Sequence, residues 1–173
     1  MSFKIFFLSI LAAVVVFVLM PKAKATPQIG DEAPYFRLQD QNFQWHTLED
    51  YKGRWVVLYF YPKADTPGCT TEACEFRDNI FAFDEFDAQI LGVSTDNVAS
   101  QSEFAEKYHL PFPLLSDAEK IVARAYDVMG LVFASRQSFI IDPEGNVAKH
   151  YESVNPSTHT QEVIEDLRAL IAL

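Results

Sequence analysis

The stretch "GRWVVLYFYPKADTPGCTTEACEF", residues 53–76, decides the fold class. Its first half, Trp55 to Tyr61, is an unbroken apolar run rich in β-branched and aromatic side chains. Such a run predicts a strand buried on both faces, as where helices cover a sheet on each side. A Pro/Gly loop, "PKADTPG", follows it. From Cys69 the period changes. Ala73, Phe76, Ile80 and Phe83 recur at spacings of three and four, which predicts a helix over 69–86. Strand, loop and helix in that order put Cys69 at the carboxyl end of a buried strand, where open α/β sheets keep their sites.

The rest of the chain extends this pattern. "AQILGVS" (88–94) and "QSFIID" (137–142) read as further buried strands. "PEGN" (143–146) is a turn and "VAKHYE" after it alternates, so 137–152 reads as a hairpin. Helical patterns occupy "NVASQSEFAEKYH" (97–109), with Asn97 as its cap, and "DAEKIVARAYDV" (117–128), starting near Asp117. A last helix, "STHTQEVIEDLRALIAL", sets Val163, Ile164, Leu167, Leu170 and Ile171 on one face. Strand–helix alternation predicts an α/β fold, and the antiparallel hairpin makes its central sheet mixed.

At 173 residues the chain holds one domain plus a short appendage. The net charge of −10 disfavours nucleic acid, whose phosphates want a basic surface, and an anionic membrane surface. The appendage is N-terminal. An apolar run from Ile5 to Met20 is interrupted only by Ser9 and is followed by "PKAKA". Ala23 and Ala25 form the small-x-small pattern of a signal-peptidase site, so residues 1–25 read as an export signal and 26–173 as the domain. The alternative is a retained membrane anchor, for which 16 residues is short. Either reading puts the domain outside the cytoplasm. Removing residues 1–25 takes away three lysines and no acid, so −10 becomes −13.

The chain has two cysteines, Cys69 and Cys74. With His46, His109, His150 and His159 they form no recognised zinc spacing, and each histidine reads as a surface or half-buried residue. A static disulfide conflicts with the helix. Positions i and i+5 differ by about 140° and about 7.5 Å of rise, so their Cα atoms lie about 8.7 Å apart. Bridged cysteines need Cα atoms within about 7 Å. A bond that forms only when the helix unwinds fits better, and that describes a redox cycle. A cysteine in the first helical turn also faces the positive end of the helix dipole and free N–H groups, which favour a thiolate nucleophile.

"PKADTPGCTTEAC" carries Pro62, Thr66 and Cys69 in the P-x-x-x-T-x-x-C spacing of the peroxiredoxins, which the chain resembles from about Ile29 onward. It is most similar to the peroxiredoxin Q, or bacterioferritin comigratory protein, subfamily, whose resolving cysteine lies five positions after the peroxidatic one. "LYFYPKADTPGCTTEACEFRD" carries the resemblance most specifically, and "GVSTD" and "RQSFIIDPEGNV" support it. The resemblance implies a thioredoxin-like fold, agreeing with the element order. It implies Cys69 as the peroxidatic nucleophile and Cys74 as the resolving thiol. It implies Thr66 as the hydrogen-bond partner of thiolate and peroxide, Pro62 as the shield of the sulfur, and Arg136 as the cation aimed at the thiolate. Glu72 and Arg77 read as solvated helix positions.

The expected activity is a thiol-dependent peroxidase acting on hydrogen peroxide and organic hydroperoxides. Cys69 becomes a sulfenic acid, Cys74 condenses with it, and a thioredoxin-like protein reduces the disulfide. No metal, haem or flavin is required, and with both thiols in one chain the protein reads as a monomer. One rival is an exported thioredoxin-like thiol–disulfide exchanger. That chemistry wants C-x-x-C, against C-x-x-x-x-C here, and a proline before the hairpin strand, whereas residues 129–138 have none. A second rival is an exported binding module with a labile disulfide.

Overall fold

The structure is a computed structural model that describes residues 26–172. The export segment expected over residues 1–25 lies outside them. The elements in chain order are β1 (Arg37–Gln39), β2 (Trp45–Thr47), a 3-10 turn (Leu48–Tyr51), β3 (Trp55–Phe60), α1 (Pro67–Asp78), α2 (Ile80–Glu85), β4 (Ala88–Ser94), α3 (Val98–Tyr108), β5 (Leu114–Ser116), α4 (Ile121–Ala125), β6 (Gln137–Ile141), β7 (Val147–Tyr151) and α5 (His159–Ile171). Among the described residues no helix is long and apolar enough to cross a bilayer.

The strands form one seven-stranded sheet in the order β2-β1-β5-β4-β3-β6-β7. β3 lies inside it, parallel to β4 and antiparallel to β6. The sheet is therefore mixed, with helices flanking it. The apolar run of β3 serves two cores. Val56, Leu58 and Phe60 pack on one face with Phe36, Val122, Tyr126 and Phe139. Val57, Tyr59 and the following Tyr61 pack on the other with Phe76, Phe104, Val163 and Leu167. This two-sided burial is why the run does not alternate with polar residues. Truncating a buried leucine such as Leu167 to alanine costs about 2–5 kcal/mol.

Local signals end the elements where expected in several places. Asn97 caps α3, its side chain accepting from Ser100 N at 2.9 Å. The β6–β7 turn closes with Gly145 N donating to Asp142 O at 3.0 Å, and Gly145 takes φ +95°, a conformation that favours glycine.

Four local expectations need correction. The helix expected over 69–86 is two helices, broken at Asn79, whose side-chain amide donates to Glu75 O at 2.9 Å and so competes with the backbone ladder. The helix expected over 117–128 is the short α4. Asp117 instead spans a turn, accepting from the amides of Ile121, Val122 and Ala123, and Lys120 takes a left-handed φ of 59°. Ile171 is exposed, so the apolar face of α5 ends with the half-buried Leu170. The three-residue strands β1, β2 and β5 were not anticipated, because such short segments carry no measurable period.

Candidate active site

Where β3 ends, its antiparallel neighbour β6 begins. The register pairs Phe60 with Gln137. Arg136, one residue earlier, therefore stands beside the point where the chain leaves β3 for the loop 62–66. This pairing joins two sequence segments about seventy positions apart at one corner of the sheet.

The loop is braced from α3 and from the end of β4. Lys107 Nζ lies 2.7 Å and Tyr108 Oη 2.7 Å from the Asp65 carboxylate, which their hydrogen bonds hold below the usual carboxylate range. Ala64 N donates to Asp96 Oδ2 at 2.8 Å. Thr66 then takes the extended N-cap conformation and Pro67 the first helical position, where its missing N–H costs nothing. Thr70 N donates to Thr66 O at 2.8 Å and opens the helical ladder. Thr66 Oγ1 donates to Lys63 O at 2.9 Å and makes no side-chain cap to the helix, so the helix start keeps its amides uncapped. Pro62 lies half-buried at the head of this loop.

Cys69 is the third residue of α1 and is 1% exposed. Arg136 Nη2 donates to its Sγ at 3.2 Å. The other terminal nitrogen of the guanidinium, Nη1, lies 2.5 Å from Glu72 Oε2. Glu72 is 0% exposed, and burial pushes its carboxyl up to about 7 against the pull of Arg136. The expectation that Glu72 is a solvated position is thus corrected. It lies three residues after Cys69 on the same helical face, and that face is turned inward. The i, i+3 spacing from Cys69 was the available signal. Charge alone misled, because a buried carboxylate needs a partner that only tertiary structure supplies.

Arg77 is also less free than expected. Its guanidinium donates to Asp78 at 2.8 Å and to Tyr108 O at 2.7 Å, and it faces Cys74. Cys74 is a half-buried free thiol, and Cys69 is free as well. Both lie on the one helix α1, so the site is reduced and the helix intact. His159, expected at or near the surface, is wholly buried at the start of α5. Its Nε2 lies 2.9 Å from Ser138 Oγ, and burial pushes its pKa down to about 4.

The helix is locked by aromatic packing. Phe76 meets Tyr59 at 4.9 Å, Phe83 at 5.6 Å and His159 at 5.8 Å between ring centroids. Tyr59 in turn packs over Gly92 of β4, where a Cβ would lie 2.7 Å from the tyrosine oxygen. The structure thus gathers Cys69, Arg136 and the unanticipated Glu72 into direct contact. Thr66 and Pro62 belong to the loop above them, and Cys74 lies further along the same helix.

A sequence profile of the AhpC/TSA family matches residues 29–150. The chain belongs to the AhpC/TSA family. It is 43% identical over 151 residues to peroxiredoxin Bcp of Bacillus subtilis (strain 168), covering 83% of this chain and 96% of that one. It is 41% identical over 145 residues to the chloroplastic peroxiredoxin Q of Oryza sativa subsp. japonica, covering 82% and 67%. A crystal structure of a cysteine-to-serine variant of Xylella fastidiosa PrxQ superposes with a TM-score of 0.82 at 34% identity, over 85% of this chain and 99% of that one. These relatives make this AhpC/TSA-family protein a peroxidase, an oxidoreductase on a thioredoxin-like fold.

Proposed function

We propose that this protein reduces hydrogen peroxide and organic hydroperoxides through Cys69, with Cys74 as its resolving partner in the same chain. The observation that carries this reading is the 3.2 Å contact from Arg136 Nη2 to Cys69 Sγ in the first turn of α1. A fixed cation and the positive end of a helix both favour the thiolate form, which is the attacking species.

The reaction divides into three steps. Cys69 thiolate attacks one oxygen of R–O–O–H, the O–O bond breaks, and RO⁻ leaves and takes up a proton as water or an alcohol, giving Cys69 sulfenic acid. Arg136 and the uncapped amides of the helix start are the donors available to the negative charge that develops on the leaving oxygen. Thr66 joins them once its hydroxyl turns from Lys63 O toward the substrate, and Pro62 keeps water from the sulfur. In the second step Cys74 displaces hydroxide from the sulfenic acid as water, forming the 69–74 disulfide. Five helical positions place the Cα atoms about 8.7 Å apart, so α1 opens first. In the third step a thioredoxin-like dithiol reduces the disulfide by exchange and is itself oxidised.

The cycle needs one chain only, so it runs in a monomer. The apolar run at residues 5–20 supports an extracytoplasmic site of action, with the domain either released before Thr26 or held by that run as an anchor. Stopped-flow reduction of one equivalent of peroxide tests the assignment. Cys69→Ser is expected to lose the burst, and Cys74→Ser to keep the first turnover but lose recycling. An equal burst in Cys69→Ser and the unaltered protein would sink the reading.

A further inference from the structure

Between α4 and β6 the chain makes a protruding finger. Ser135 N donates to Val128 O at 2.7 Å, Met129 bridges Ala134, and Gly130 N donates to Phe133 O at 2.9 Å. The tip displays three consecutive apolar side chains. Leu131 is 105% exposed, Val132 58% and Phe133 44%. Isolated apolar residues on a surface need no explanation, but a contiguous apolar tip on a protrusion marks a contact.

Its surroundings identify the partner. Two lysines flank the tip: Lys120 Nζ donates to Val132 O at 3.2 Å, and Lys63 Nζ stands 5.9 Å from the centroid of the Phe133 ring. Apolar side chains at the tip with amines behind them match the depth profile of a bilayer interface, acyl chains below and headgroups above. The finger also stands where the chain enters the fold. Thr26 Oγ1 donates to Asp127 Oδ2 at 2.7 Å, and Asp127 directly precedes the base of the finger at Val128. The apolar run ends at Met20, and the six residues to Thr26 span at most about 20 Å. A bilayer holding residues 5–20 is therefore within reach of the finger. A second copy is the poorer occupant, since residues 26–173 carry −13 and two such surfaces repel.

The finger also borders the reactive sulfur. Its strand runs through Ser135 into Arg136, which touches Cys69, and Lys63 belongs to the loop over that cysteine. We propose that the Leu131–Val132–Phe133 finger seats the mouth of the Cys69 site on the lipid surface, with residues 5–20 kept as the anchor, and that hydroperoxides on lipid acyl chains are the substrate class it serves. This rests on the peroxidase reading above. Cys69 thiolate takes the terminal oxygen of the acyl hydroperoxide, the O–O bond breaks, and the acyl alkoxide picks up a proton to leave a lipid alcohol. The acyl chain stays in the bilayer throughout.

The full chain reconstituted in phosphatidylcholine vesicles provides the test. Single-turnover rates are measured with a phosphatidylcholine hydroperoxide in the vesicle and with dissolved hydrogen peroxide. Replacing all three tip residues, L131S/V132S/F133S, is expected to slow the lipid reaction at least about tenfold, from the apolar burial lost at the interface. The hydrogen peroxide rate stays within about twofold, since none of the three touches Cys69. In a second variant, Phe133→Trp, brominated acyl chains are expected to quench the added tryptophan. Equal losses on both substrates, or none on either, overturn the proposal. So does an unquenched tryptophan, including one found in a cross-linked pair of chains. An unaltered protein that fails to consume dissolved hydrogen peroxide instead overturns the peroxidase reading itself.

Discussion

Glu72 and Arg136 form an ion pair directly behind the reactive sulfur, with Oε2 2.5 Å from Nη1 and neither group free in solvent. Burial raises the Glu72 carboxyl to about 7, above its ordinary value of 4.5. The folded protein therefore holds this proton more tightly than the unfolded chain. A raised carboxyl contributes stability that is fully present below its unfolded pKa and is lost as pH rises through the folded one. The unaltered protein is expected to lose stability relative to Glu72→Gln as pH goes from about 4.5 to about 7, by roughly 3 kcal/mol at the most. Urea unfolding of both proteins across that window measures it. A constant difference between them would show that Glu72 does not titrate there.

Arg136→Ala removes the donor on Cys69 Sγ and leaves Glu72 without its partner. A charge-assisted hydrogen bond is worth about 1.5–3 kcal/mol, or roughly ten- to a hundredfold in rate. The peroxide step is expected to slow by that factor, together with alkylation of Cys69 by iodoacetamide at fixed pH. Arg136→Lys should recover only part, because one ammonium cannot reproduce the planar fork that reaches both partners.

Gly68 lies against the same guanidinium. A Cβ there would sit 3.2 Å from Arg136 Nη2 and 3.5 Å from Pro156 Cγ. Gly68→Ala is expected to push Arg136 a few tenths of an ångström from the sulfur and slow the peroxide step about two- to tenfold. Its melting temperature should hold or rise, since alanine at a compatible helical position gains about 0.4–1 kcal/mol through the unfolded chain. Opposite signs in rate and stability would distinguish a displaced guanidinium from general damage.

Oxidation should melt the first turns of α1. The Cα atoms of Cys69 and Cys74 must close from about 8.7 Å to below about 7 Å, which no α-helix allows. Phe76, packed against Tyr59, Phe83 and His159, has to loosen as the helix opens. Hydrogen exchange is expected to find the amides of residues 70–78 protected in the reduced protein and fast in the oxidised one. Unchanged protection in protein shown to contain the 69–74 bond would mean that the helix and the disulfide coexist.

The sequence by itself determined the elements whose signals are local. Trp55–Tyr61 could only be a doubly buried strand, Asn97 could only cap what followed it, and Asp142–Asn146 turned where its glycine permits a positive φ. The motif around Cys69 was legible because Pro67 and the apolar period fix the start of α1 within a few residues of chain. Tertiary structure decided the rest. The three-residue strands β1, β2 and β5 exist because neighbours supply their hydrogen bonds, not because their own sequences demand extension. Asn79 broke a helix whose apolar period runs on through it, since a side-chain hydrogen bond is invisible to periodicity. His159 and Glu72 were placed inside by packing, against the ordinary preference of polar side chains for water. The antiparallel register of β3 and β6 brought Arg136 across 67 residues to Cys69, and a contact at that range is set by which strands pair, a property of the whole sheet rather than of any segment.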